Sequence, residues 1–293
     1  MSLADAFPEI TRTREPLAPH THLRIGGPAE FFVRPRTVPE LKAVLQYASE
    51  KHVPLRMLGN GFNLLVADAP IAGAVVRLDG PAFNTIESNG NLVRAGGGAS
   101  LYDLIAHTVS AGLAGLETLV GIRGTVGGSV RVNVGDRSGE IGACIRRVAV
   151  LTDEGREQVR TRDELTFGDH KSDLDEPVIL WVEFGLDAAN PAMLLKRMRR
   201  AWVARKAAEP LSFQAAVRMF RDPPGHTAAT LIERAGLART KVGGAEVSDR
   251  NGNYLVANPG TTAADILELL DVVRDRIQVV AGVALDRELR VWA

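Results

Sequence analysis

A single cysteine, Cys144, excludes an internal disulfide and any multi-thiolate metal centre, so no metal is expected. Cys144 reads instead as a small core residue beside Ile141 and Ile145. The chain also lacks a charge bias: 35 Lys and Arg balance 35 Asp and Glu. A net charge of zero leaves no electrostatic footprint for nucleic acid or an anionic membrane. No apolar run approaches the ~20 residues that cross a bilayer. Residues 1–8 carry an acid and no basic stretch, so no secretory leader and a cytoplasmic location are expected. There is no internal repeat and no low-complexity tract.

What is present is the make-up of a two- or three-part globular protein. The 293 residues exceed the ~250 at which single cores stop growing, and 45% are hydrophobic. Prolines make 8–19 an extended lead-in. The apolar spacing predicts a helix over 38–51 with Leu41, Val44, Leu45 and Ala48 on its buried face. Strands are predicted over 29–33, 55–58, 74–78, 91–95, 145–151 and 178–184. Helices follow over 101–111 and 191–207, the latter with a basic, solvated face and marking a boundary. Beyond it come a helix over 227–235, a strand over 253–257, a long helix over 263–279 and a last strand over 283–292.

Three glycine-rich turns interrupt this pattern: LGNGFN at 58–63, AGGGA at 95–99 and GIRGTVGG at 121–128. Glycine admits positive φ and close backbone approach, and successive amides in such turns form nests for phosphate oxygens. Gly127 and Gly128 are expected to offer amides in this way. Any one turn alone reads as a tight connection in a β-rich protein. None has the G-x-G-x-x-G spacing of a strand–helix dinucleotide site, which excludes a Rossmann arrangement. Three turns close together point to a large phosphate-bearing ligand that composition cannot name.

The order of these blocks resembles the UDP-N-acetylenolpyruvoylglucosamine reductase (MurB) family over nearly the whole chain. THLRIGGPA at 21–29 is similar to the family's N-T-x-x-I-G-G-P-A, and LGNGFNLLV at 58–66 to L-G-x-G-S-N-L-L-V. GIRGTVGGSV at 121–130 and NVGDRSGEIG at 133–142 follow in order. LIERAGL at 231–237, VGGAEVS at 242–248 and LDRELR at 285–290 match the family's last third. The resemblance implies an α+β fold: a two-subdomain, PCMH-type FAD-binding unit and a C-terminal α+β substrate domain. It divides the chain into 1–70, joined by the terminal strand 284–293, then 71–195, then 196–283. It implies FAD as cofactor, NADPH as reductant and a UDP-sugar as small-molecule partner; neither nucleic acid nor membrane insertion is expected. The cofactor contacts it carries over are Gly59, Asn60, Gly61, Phe62, Asn63, Gly121, Gly124, Thr125, Gly127, Gly128 and Ile141.

Residue by residue, this sequence departs from the family at the chemistry. The serine that opens S-V-F-K-N-P-P-G and donates a proton is replaced by Arg218, and a guanidinium has no removable proton near pH 7. Ser212, further upstream, is a poor substitute. The arginine of F-G-Y-R-x-S is replaced by His170, with Asp169 before it and Lys171 after it. The glutamate is retained as Glu288. Asp222 stands for an asparagine and brings negative charge toward a diphosphate, whereas Arg221 and Arg250 keep positive charge and Asn253 is kept. Phe62 replaces the serine at the FAD pyrophosphate, so a phenyl ring is expected to obstruct that berth. Arg123 and Arg137 are candidates to pair either with a phosphate or with Asp136 or Asp169.

Two readings stay open. In the first, the chain belongs to peptidoglycan precursor synthesis but is impaired or inactive for NADPH- and FAD-dependent reduction of UDP-GlcNAc-enolpyruvate to UDP-MurNAc, a pseudoenzyme candidate. In the second, it is an active, divergent reductase with a changed proton donor.

Overall fold

The computed structural model describes residues 1–136, 138–210 and 215–293. Arg137 and Ser212 lie outside the described residues. The chain divides into two compact units, one of Met1–Arg14, Glu30–Asn60 and Ala72–Arg205, the other of Glu15–Ala29, Gly61–Ile71 and Lys206–Ala293.

The first unit holds two sheets. One orders strands Thr11–Pro16, Pro28–Val33, Ile71–Arg77 and Leu55–Leu58, with the last two parallel. Helix Val38–Glu50 starts at a capping box in which Thr37 Oγ1 accepts from the Glu40 amide and Glu40 accepts in return. Its buried face is Leu41, Val44, Leu45 and Ala48, as the spacing predicts; the first three pack with Val33, Ala74 and Val76. The extended lead-in over 8–19 contains the first strand of this sheet, Thr11–Pro16, with one proline at the strand end. The second sheet is five-stranded and antiparallel: Glu157–Thr161, Ile145–Leu151, Val178–Gly185, Leu92–Gly96 and Ile86–Asn89. Helices Leu101–Ser110 and Val126–Arg131 contribute Leu101, Leu104, Ile105, Val126 and Val130 to its core.

The second unit is built on a four-stranded sheet, Ala215–Arg218, Tyr254–Ala257, Ala245–Val247 and Lys241–Val242. Helices Ala228–Arg234 and Ala263–Ala281 supply its core with Leu231, Ile232, Ile266, Leu269, Leu270 and Val273. The long helix begins at a Thr262–Asp265 capping box and ends at Gly282, whose φ of 66° is the left-handed C-terminal cap. Leu64–Val66 pairs in parallel with Arg290–Trp292. The last strand is therefore much shorter than the expected 283–292. Residues 286–288 are taken up elsewhere: Arg221 N donates to Asp286 O and Glu288 N to Met219 O, each at 2.9 Å.

Candidate active site

Accounting for backbone amides separates the three glycine turns of the sequence. In the 95–99 turn every glycine amide is used: Gly96 donates to Thr85 O, Gly97 to Leu180 O and Gly98 to Phe83 O. A Cβ on Gly98 would sit 1.9 Å from Leu78 O, and one on Gly97 2.0 Å from Ile179 O. This turn is glycine-rich because backbone packs on backbone there; it is not a phosphate nest. The same holds for Gly127, which donates to Gly97 O at 2.8 Å, and for Gly128, which donates to the Thr125 hydroxyl at 3.2 Å. Those two amides, expected to face a ligand, are consumed by the 95–99 turn and by the helix cap.

What stays open is smaller. Among the described residues, the amides of Asn60, Gly124 and Thr125 meet no protein acceptor. A Cβ on Gly59 would approach Thr125 Oγ1 to 3.0 Å, so the end of strand Leu55–Leu58 lies against the cap of Val126–Arg131 with glycine spacing only. Gly124 has φ of 154°, a conformation that L side chains rarely adopt. Gly121 has φ of 88° and is covered by Arg205, whose Nε donates to Val120 O. Arg205 also binds Asp136 at 2.9 Å, so the partner of that carboxylate is a residue the sequence reading did not nominate. Ile141 corrects another expectation. It is fully buried in the core of the five-stranded sheet and its amide donates to Val134 O, so its side chain is not turned to a ligand.

His170 occupies a two-residue connection between short strands Phe167–Gly168 and Lys171–Ser172 and takes φ of 49°. Asn133, 1% exposed, anchors this hairpin: its carboxamide donates to Gly168 O at 2.9 Å and accepts from the Gly142 amide. The hairpin belongs to the first unit, and it presents an imidazole, half-buried, where the family resemblance places a guanidinium.

In the second unit, the opening motif explains its own glycines. A Cβ on Gly27 would lie 2.4 Å from the carbonyls of Asp68 and Ala69, and one on Gly61 2.5 Å from His20 O. His22 N donates to Gly61 O, and the Phe62 ring packs on the His22 imidazole with centroids 4.8 Å apart. Phe62 is therefore seated on a neighbouring ring. Asn63 donates from Nδ2 to Glu288 O at 3.1 Å, and its own carbonyl accepts from Arg290 N. Its side chain holds the terminal segment in place.

That segment carries the retained glutamate. Arg218, at the end of strand Ala215–Arg218, reaches Glu288 Oε2 through Nε at 3.1 Å and Asp222 Oδ2 through Nη2 at 2.8 Å. The contact with the buried Glu288 Oε2 is ionic in geometry, not an aligned hydrogen bond. Burial works against the Arg218 charge, yet Glu288 and then Asp222 outweigh it and hold the guanidinium above its ordinary value. The two departures from the family pattern are thus one ion pair: Asp222 answers the charge that Arg218 introduces. Asp222 also accepts from the Ala228 amide at 2.8 Å, next to helix Ala228–Arg234. Asn253 is 2% exposed and spends both ends of its carboxamide on the Phe220 backbone, at 2.7 and 3.0 Å. Arg221 and Arg250 form no ion pair among the described residues, and Arg221 Nε is buried without a hydrogen-bond partner there.

Residues 29–160 match the FAD binding domain model, and residues 209–292 match the C-terminal domain of UDP-N-acetylenolpyruvoylglucosamine reductase. The reductase of Heliobacterium modesticaldum is 38% identical over 95% of this chain and 89% of its own length. The chain belongs to the UDP-N-acetylenolpyruvoylglucosamine reductase family. A second reductase so named, from Symbiobacterium thermophilum, is 37% identical over 97% of this chain and 93% of its own length. The crystal structure of UDP-N-acetylenolpyruvylglucosamine reductase (MurB) from Thermus caldophilus has the same fold, with a TM-score of 0.82 and 35% identity over 97% of this chain and 98% of that one. The α+β reductase fold and its FAD binding domain follow from these matches. The open amides of Asn60, Gly124 and Thr125, and the glycine-only approach at Gly59, fit a cofactor diphosphate within the first unit.

Proposed function

We propose that this chain is an FAD-holding reductase of the family in which the serine-dependent protonation of UDP-GlcNAc-enolpyruvate is impaired. Bound FAD, reduced by NADPH, supplies the hydride chemistry. Asn60, Gly124 and Thr125 hold the FAD diphosphate through their amides, while Gly59 keeps the approach clear. Arg221 and Arg250 take the UDP diphosphate, Glu288 stabilises charge at the reacting carbons and His170 supplies positive charge when protonated. The functional parts are 1–70 with 284–293, then 71–195 for the flavin, and 196–283 for the UDP-sugar. The lack of disulfide-forming cysteines supports a cytoplasmic location.

The single observation behind the impairment is Arg218, held between Glu288 and Asp222 at the donor position. A guanidinium clamped by two carboxylates cannot release a proton, and losing a general acid slows a reaction by ~10²–10⁴-fold. Anaerobic stopped-flow separates the steps. NADPH should bleach the flavin at a rate typical of the Thermus caldophilus relative, whereas reoxidation by UDP-GlcNAc-enolpyruvate should be ~10²–10⁴-fold slower. A protein that takes up no FAD, or one that reoxidises as fast as that relative, would refute the proposal.

A further inference from the structure

The slow reduction still needs a proton, and the sheet of the second unit offers a source. Arg218 pairs in register with Tyr254 across antiparallel strands. Met219 N donates to Asn253 O, so Arg218 and Tyr254 form a non-hydrogen-bonded pair, the kind whose Cα atoms approach to ~4.5 Å with side chains close on one face. Their neighbours Val217 and Leu255 point into the core, which turns Arg218 and Tyr254 to the opposite face. On that face the guanidinium also meets Glu288 and Asp222. Tyr254 is half-buried.

We infer that Tyr254 is the proton donor of this chain, taking over the task that a serine performs elsewhere in the family. The inference rests on the reading that the chain binds this flavin and this UDP-sugar. With the hydride supplied by the reduced flavin, one carbon of the enolpyruvyl double bond keeps the electron pair. The Oη–H bond of Tyr254 breaks, its proton bonds to that carbon, and a tyrosinate remains beside Arg218. Water then returns the proton to the tyrosinate. Arg218 is a positioning residue in this scheme: it cannot donate, but its fixed charge favours the phenolate that donation leaves behind. Arg218, the cross-strand partner of Tyr254, is itself held by Asp222 and Glu288, so the carboxylates that tether Arg218 also moderate its effect.

The test uses the full-length flavoprotein. Tyr254→Phe should slow reoxidation by UDP-GlcNAc-enolpyruvate a further ~10²-fold or more, leaving NADPH bleaching and equilibrium binding of the UDP-sugar within ~2-fold. In a background of Tyr47→Phe and Tyr102→Phe, tyrosinate absorbance of the flavin-free protein reports Tyr254 alone. Its titration should move to higher pH in Arg218→Gln. Fluorotyrosine at position 254, a more acidic phenol of nearly the same shape, should shift the alkaline limb of the reoxidation profile to lower pH and guards against misfolding of the phenylalanine variant. Unchanged reoxidation in Tyr254→Phe, or a limb that ignores fluorotyrosine, overturns the assignment of Tyr254. Absence of NADPH bleaching in the parent protein instead overturns the reductase reading itself.

Discussion

Arg218 and Asp222 show how a substitution that looks disabling alone becomes intelligible beside its neighbour. A lone arginine in place of serine would be a half-buried charge, and a lone aspartate in place of asparagine would repel a diphosphate. Together they are an ion pair at 2.8 Å, with Glu288 on the other side of the guanidinium. Reverting Arg218→Ser by itself would remove the guanidinium that Asp222 and Glu288 both contact. Thermal melting should show a loss of about 1–2 kcal/mol for that variant, modest because Arg218 is 30% exposed. Arg218→Ser with Asp222→Asn should recover most of it and should reoxidise with UDP-GlcNAc-enolpyruvate faster than either single variant. Additive losses in the double variant would show that the two positions are independent. Asp222 and Arg218 were each legible in the sequence as departures from a family pattern. Their mutual contact was not, because an ion pair depends on side-chain direction at the end of a strand.

At the level of elements, the five-stranded sheet carries a charged row across three adjacent strands. Register places Glu183 opposite Arg94 on one side and Arg147 on the other. Arg147 donates twice to Glu183, both at 2.8 Å, and Arg94 lies over the Trp181 ring at 4.1 Å. The hydrogen bonds from Arg147, opposed by burial, hold the Glu183 carboxyl below the ordinary glutamate range. A depressed carboxylate stabilises the fold above its unfolded value of about 4.3 and loses that contribution as pH falls through the lowered native value. Glu183→Gln should therefore melt several degrees lower at pH 7, and the gap should close as the pH drops below about 4. A gap that persists unchanged in acid would assign the loss to packing instead. Strand positions such as Ile145–Leu151 were readable from short runs rich in β-branched apolar residues, and helix Val38–Glu50 from its apolar spacing. The last strand was not: residues 286–288 pair with 219–221, a non-local competition that no local pattern signals.

For the whole molecule, FAD binding links the flavin domain to stability. Saturating FAD at about 100 times its Kd should add about 2.7 kcal/mol, read as a rise of roughly 5–10 °C in Tm. Thr125→Val removes the hydroxyl that caps Gly128, so it should cost the flavin-free protein about 1 kcal/mol and reduce the FAD-induced rise. An undiminished rise would separate the cap from the cradle. Among the described residues no helix is long and apolar enough to cross a membrane.

The ordered motif blocks were enough to carry the family resemblance and, through it, fold class and cofactor, while apolar periodicity located helices and strands, since each is a property of local sequence. Which amides of the glycine-rich turns remain open was decided only in three dimensions: Gly96, Gly97 and Gly98 donate to protein carbonyls, whereas Asn60, Gly124 and Thr125 meet no acceptor among the described residues. The same is true of Arg205 over Gly121, of Asn63 holding Glu288 and of Tyr254 beside Arg218. Hydrogen bonds and ion pairs act over about 3 Å between residues as far apart in the chain as Asn63 and Glu288, 225 positions, so their partners are set by packing and register, which spacing along the sequence does not encode.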